Sequence, residues 1–134
     1  QLQRVAIARA LVHAPKLLIP DIARSLEVTL ESGQFYPHHN LYVVTGDLVD
    51  LEVLGALLRS RVAQFVVSAY AMKMRGGYKR MQAQYLRKIR VPQPSTLPTA
   101  LQDDLRHACR QRNQAEVDAL SLVAYGLRGL PPIP

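Results

Sequence analysis

Residues 72–94 read MKMRGGYKRMQAQYLRKIRVPQP, and this stretch decides how the rest of the chain is parsed. Gly76-Gly77 interrupts any regular element arriving from upstream, because glycine adopts turn conformations at no steric cost and adds no side chain to a core. The prolines of VPQPSTLP then separate the stretch from a helical C-terminal third. Between Lys73 and Arg90 stand seven basic residues, Lys73, Arg75, Lys79, Arg80, Arg87, Lys88 and Arg90, with no Asp or Glu. The whole chain holds 17 Lys and Arg against 10 Asp and Glu, so without these seven the remainder is balanced. The formal charge of +7 therefore resides in one segment. A field so concentrated steers a polyanion, whereas dispersed charge mainly aids solubility.

Upstream of the glycines, Val62, Phe65, Val66 and Ala69 give a helix from about Arg61 to Met72 an apolar stripe. Before it, Asp47 is placed to cap a helix beginning at Leu48, with Leu51, Leu54, Leu57 and Leu58 along one side. Leu41 to Thr45 are rich in aromatic and β-branched residues and follow a turn expected at Pro37 to Asn40, so they read as a strand. Two further short strands are expected in KLLIPDIA and SLEVTLESG, where Leu26, Val28 and Leu30 alternate and Gly33 closes the run. QLQRVAIARALVHA, residues 1–14, has helical spacing that Pro15 ends. Downstream, Leu101, Leu105 and Ala108 share a helix face with Asp103 and Asp104 near its positive end. Asn113 and Glu116 form a capping-box pattern for a last helix ending at Gly126. The expected fold is α+β, a small mixed sheet packed by helices with a C-terminal helical hairpin.

At 134 residues and 49% hydrophobic content the chain suits one compact domain. Its apolar runs stop well short of the roughly 20 residues of a membrane span, so no membrane association is expected. Gln1 is not a start methionine and no signal-peptide pattern follows it, so the chain reads as an internal piece of a longer protein. Cys109 is the single cysteine and has no intrachain disulfide partner, which points to the cytoplasm. His13, His38, His39 and His107 lack the spacing of a closed zinc site. No phosphate-binding loop, nucleophile elbow or dinucleotide fingerprint occurs. No catalytic residue is expected in this chain, and no metal.

Two resemblances compete for the remaining motifs. QRVAIARALVHAPKLLIPD resembles the segment of ABC-transporter ATPases that runs into the Walker B strand, but Asp21 is followed by Ile22 where that family has a glutamate, and the Walker A loop is missing. KLLIPDIARS, FYPHHNLYVVTGD, LLRSRVAQFVV and MRGGYKRMQAQYLRKIRVPQP resemble, in order, the specificity domain of TaqI-like DNA adenine-N6 methyltransferases. The closing VDALSLVAYGL is similar to that group's tail, so the likeness spans about residues 15–127. Its most specific part is Arg75-Gly76-Gly77-Tyr78 with Gln84, Tyr85 and Leu86; Met81 departs from a usual aromatic residue and Arg90 from a usual proline.

This likeness implies a domain at 15–94 that recognises a double-stranded DNA target, preceded by an N-terminal helix or connector at 1–14 and followed by the helical hairpin and tail at 95–134. It also implies an upstream methyltransferase domain that binds S-adenosylmethionine, and a nuclease partner fused or separate. The resembled family holds its target base with an Asn or Asp followed by Pro-Pro and an aromatic residue, and no such motif occurs here. This chain is therefore expected to bind no cofactor. Within the segment, Arg75 beside Gly76 and Gly77 combines a guanine-reading fork with backbone N–H groups open to a phosphate. Lys79, Arg80, Arg87, Lys88 and Arg90 suit phosphate contacts that carry no sequence information. Gln82 and Gln84 suit adenine, since an amide offers donor and acceptor together; a strand is expected to turn both toward DNA. Tyr78 and Tyr85 are expected to divide between packing and DNA. A protein-interaction module with a basic face is the rival reading.

Overall fold

The computed structural model describes residues 14–31 and 41–133. The turn expected at Pro37 to Asn40 and, apart from Ala14, the helix expected over residues 1–14 lie outside the described residues. Strand β1, Lys16–Pro20, is the centre of a three-stranded sheet between β3, Thr29–Glu31, and β4, Leu41–Thr45. Both pairings are antiparallel, with Leu17 opposite Leu30 on one side and Val44 on the other. Pro20 is tolerated because it lies beyond the end of β3, where β1 has a neighbour on one side alone. A Walker B strand would need the parallel neighbours of a strand-helix-strand unit, so this arrangement removes the ATPase likeness.

KLLIPDIA does not continue as one strand. The chain bends at Asp21, and β2, Ile22–Ala23, enters a second antiparallel sheet of order β2-β6-β5, with β5 at Met72–Lys73 and β6 at Lys79–Arg80. The expected α+β class thus contains two small sheets, antiparallel throughout. Likewise only Thr29–Glu31 of SLEVTLESG pairs as a strand among the described residues. Leu26 is held instead by the Gln64 side chain, which accepts from the Leu26 N–H at 2.9 Å and donates to its carbonyl at 2.6 Å. An amide has the same donor and acceptor pair as a neighbouring backbone, so it can stand in for one.

Helix α1, Leu48–Arg59, is buried on two sides. Leu51 and Leu58 join Leu17, Ile19, Leu26 and Val28 in a core under the first sheet. Val53, Ala56 and Leu57 join Leu105, Ala108 and Val117 in a second core under the C-terminal hairpin. Gly55 permits the close approach to β1: a Cβ there would lie 3.2 Å from Leu17 Cδ2. Asp47 occupies the N-cap position, although its side chain makes no capping hydrogen bond. Ser60 does cap the next helix, α2, Arg61–Tyr70, accepting from Ala63 N.

The buried side of α2 carries Val62, Ala63, Val67 and Ser68, while Phe65 and Val66 are half-buried and Ala69 is exposed. The face is rotated from the stripe expected because α2 packs beside α1 and also meets the helices that follow in the chain, with Ala63 and Val67 entering the first core. The helix also stops at Tyr70, ahead of the glycines, since β5 needs its backbone for pairing with β6. After a one-turn helix α3, Ala83–Leu86, the hairpin follows as α4, Thr99–Arg110, and α5, Gln114–Tyr125. Asn113 Oδ1 accepts from Glu116 N at 3.2 Å, and Gly126 closes α5 in the left-handed region, both as the sequence indicates. Val91 packs against both cores, joining the end of the basic segment to the hairpin.

Candidate nucleic-acid interface

The seven cations are carried by a short hairpin and by the residues that follow the one-turn helix α3. In the hairpin, Met74 N donates to Tyr78 O at 2.7 Å, and Arg75–Gly77 form the tip. Gly76 and Gly77 have φ of 76° and 80°, a region that glycine enters freely and other residues resist. Arg75 is exposed at this tip and makes no ion pair or hydrogen bond with another described residue. Its neighbour Tyr78 is 42% exposed and lies under the guanidinium of Arg24, with 5.1 Å from Cζ to the ring centroid.

On β6 the two cations face opposite ways. Ala23, Lys79 and Lys73 form one register row, and Ile22, Arg80 and Met72 the next. Lys79 turns toward α2 and donates to Ser68 Oγ at 2.8 Å. Arg80 turns outward, its Nε 3.7 Å from Asp21 Oδ2. The next residue, Met81, is fully buried in the first core, which explains why an apolar side chain is required there whether aromatic or not. Met81 N donates to Asp21 O at 2.6 Å, so the Asp21 bend is tied to the end of β6 through both backbone and side chain.

Gln82 and Gln84 are not on a strand. The strand ends at Arg80, and Gln82 becomes the N-cap position of α3, because burying Leu86, Ile89 and Val91 against the core requires a helical turn. Gln84 Nε2 donates to Gln82 Oε1 at 2.8 Å, so the two amides act as a pair on an exposed surface. Tyr85 is half-buried and Tyr78 exposed. Lys88 is exposed, with Nζ 4.9 Å from the Tyr70 ring centroid. The Arg90 side chain is exposed, and its carbonyl accepts the Tyr125 hydroxyl at 2.6 Å. Burial pushes that phenol up to about 12, so it remains a hydrogen-bond donor at neutral pH.

Asp21, Arg24, Ser68 and Tyr70 complete the site, and no sequence signal marks them. Each comes to the basic segment only through the pairing of β2 with β6 or the packing of α2. Arg59, outside the site, is engaged by the fold: Nε donates to Val28 O at 2.7 Å and Nη1 to Cys109 Sγ at 3.1 Å. Among the described residues, no helix is long and apolar enough to cross a membrane.

Residues 2–91 match the TaqI-like C-terminal specificity domain family. The chain belongs to that family. It is 45% identical over 118 residues to the type II methyltransferase M.XhoI of Xanthomonas vasicola, covering 88% of this chain and 22% of that protein. The type II methyltransferase M.PaeR7I of Pseudomonas aeruginosa is 45% identical over 124 residues, covering 92% of this chain and 21% of the relative. M.BstVI of Geobacillus stearothermophilus, also a type II methyltransferase, is 41% identical over 117 residues, 87% of this chain and 21% of its own length. The chain spans about a fifth of the length of these relatives.

Proposed function

We infer that this chain is the DNA target-recognition domain of a site-specific adenine-N6 DNA methyltransferase in a restriction-modification system, and that it grips duplex DNA through the basic hairpin and the helical turn behind it. The observation that carries this reading is the cationic segment from Lys73 to Arg90, which itself contains no carboxylate and is built on the first core through Met81, Leu86, Ile89 and Val91. Arg75, at a tip flanked by two glycines, reads a base edge while the glycine N–H groups meet a phosphate. Lys73, Arg87, Lys88 and Arg90 contact phosphates. The paired amides of Gln82 and Gln84 present adenine with a donor from one and an acceptor from the other. Lys79, held by Ser68, supports the hairpin and adds its charge from beneath.

In this reading residues 15–94 recognise DNA and 95–134 brace the recognition surface, as the Tyr125 bond to Arg90 O suggests. S-adenosylmethionine and the flipped adenine belong to a catalytic domain upstream, because this chain has neither the base-holding Pro-Pro motif nor a glycine-rich cofactor loop. A cytoplasmic location and a companion nuclease follow from the same system. The deciding experiment is competition between a preferred duplex, selected from a random pool by the intact methyltransferase, and random duplex at matched ionic strength. Preferred duplex should displace the protein at much lower concentration than random duplex. Equal displacement by both, or by any polyanionic protein surface, would leave a basic interaction module as the better account.

A further inference from the structure

The outward row of the second sheet has a composition that phosphate contact does not explain. Ile22, Arg80 and Met72 are register partners across β2, β6 and β5, so their side chains leave the same face of the sheet. Ile22 and Met72 are each 51% exposed, an unusual outlay of apolar surface on both sides of one arginine. The Arg80 side chain is 50% exposed and meets Asp21 through Nε, at 3.7 Å. Its terminal Nη1 and Nη2 make no hydrogen bond with another described residue. Asp21 is in turn fixed, its carbonyl accepting from Met81 N at 2.6 Å and its Oδ1 buried with no partner among the described residues.

A carboxylate on the Nε side of a guanidinium restrains the side chain while leaving the two-pronged end free. That end matches O6 and N7 of guanine in the major groove, a groove that admits a β-ribbon. Apolar side chains beside it suit the C5-methyl of thymine, the one apolar group a base pair shows there. Adjacent strands are about 4.8 Å apart and base pairs about 3.4 Å, so Ile22 and Met72 stand one on each side of Arg80, each within a side chain's reach of a base pair beside the one Arg80 meets.

Resting on the specificity-domain reading, we propose that Arg80 is a base-reading residue for a guanine next to thymine, that Asp21 is its positioning residue, and that Ile22 and Met72 supply the thymine-methyl contact. The occupant of this face is a base-pair edge in duplex DNA, as its central cation and apolar flanks require. A phosphate would be met as well by any exposed lysine, without the anchoring carboxylate or the apolar neighbours.

The test uses the intact methyltransferase and duplexes selected from a random pool. Arg80→Ala should lose its preference for guanine at one position by about tenfold to a hundredfold, and Arg80→Lys should recover little of it. Asp21→Asn, which keeps the size of the side chain and the backbone bond to Met81, should lower discrimination at that same position and, by removing a negative charge that faces DNA, raise affinity for random duplex. Replacing the neighbouring thymine by uracil should weaken wild-type binding about fourfold, the worth of one buried methyl group. That penalty should vanish in the Ile22→Ala, Met72→Ala double variant. Thermal melting identifies any variant that fails to fold, in which case Arg80→Lys carries the measurement. Uniform weakening by Arg80→Ala on every duplex, with base preference intact, would make Arg80 a phosphate contact and overturn the proposal. A uracil effect that persists unchanged in the double variant would overturn the methyl assignment. A wild-type protein with no preference among duplexes would instead bring down the specificity-domain reading itself.

Discussion

Gly77 has φ of 80°, and a Cβ built on it would meet nothing within 4 Å. Replacing it therefore costs backbone strain and no clash, about 1 to 2 kcal/mol for an L residue and less for Asn, which tolerates the left-handed region. Gly77→Val should lower the thermal stability of the hairpin and weaken binding to all duplexes together, while Gly77→Asn should retain most of both; equal loss in the two variants would mean that the turn is not what glycine supplies. Arg75 and Lys88 separate along a different line. Arg75→Ala should cost roughly 1 to 3 kcal/mol on the preferred duplex and much less on others. Lys88→Ala should weaken every duplex alike and reduce the salt slope by about one unit. Titrations of both duplex classes across salt concentrations check this. Arg75 and the glycines were legible in the sequence because their chemistry is local. The orientations of Lys79 and Arg80 were not, since neighbouring strand residues point to opposite faces and the choice of face belongs to the sheet.

At the scale of elements, α1 and α4 are joined by a carboxylate that is only 5% exposed. Arg110 donates to Glu52 from Nε at 2.7 Å and from Nη2 at 2.9 Å, and Arg106 Nη2 lies 3.5 Å away. Burial by itself would raise the Glu52 carboxyl, but the hydrogen bonds and positive charges of Arg110 and Arg106 outweigh it and hold it below the usual value of 4.5. A carboxyl depressed in the folded state stabilises the fold above its unfolded pKa, and that contribution disappears as pH falls through the folded value. Unfolding free energy should therefore drop as pH is lowered below about 4.5, with a smaller drop in Glu52→Gln. At neutral pH, Glu52→Ala should cost about 2 to 3 kcal/mol, mostly from the hydrogen bonds to charged groups that it removes. Urea unfolding at a series of pH values measures both. The helices themselves were legible from periodicity and caps, as Asn113 and Gly126 illustrate. Which helix face meets which neighbour was not, and α2 is the clear case: Phe65 and Val66 are as apolar as Ala63 and Val67, and only the packing of α2 against α1, α3 and α5 chooses between them.

For the whole molecule, the exposed cations Lys73, Arg87, Lys88 and Arg90, with Lys79 adding its charge, would neutralise about five phosphates, giving log K against log salt a slope of roughly −4 to −5. A slope near zero for the isolated chain on duplex DNA would contradict the proposed function. The same chain, mixed with DNA and labelled S-adenosylmethionine, should transfer no methyl group; measurable transfer would place the chemistry where no base-holding motif exists. The sequence by itself determined the longer helices α1, α2, α4 and α5, the strand Leu41–Thr45, the concentration of charge in one segment and the glycine tip, because these depend on periodicity, sterics and composition within a few residues. Tertiary structure alone decided that KLLIPDIA divides at Asp21 between two sheets and that β2 pairs with β6. That pairing brings Asp21 and Arg24 to the hairpin, and the packing of α2 adds Ser68 and Tyr70. The physical reason is that a two-residue strand carries too little local preference to choose a partner. Its register follows from burying Ala23 and Met81 against a core whose other members lie far away along the chain.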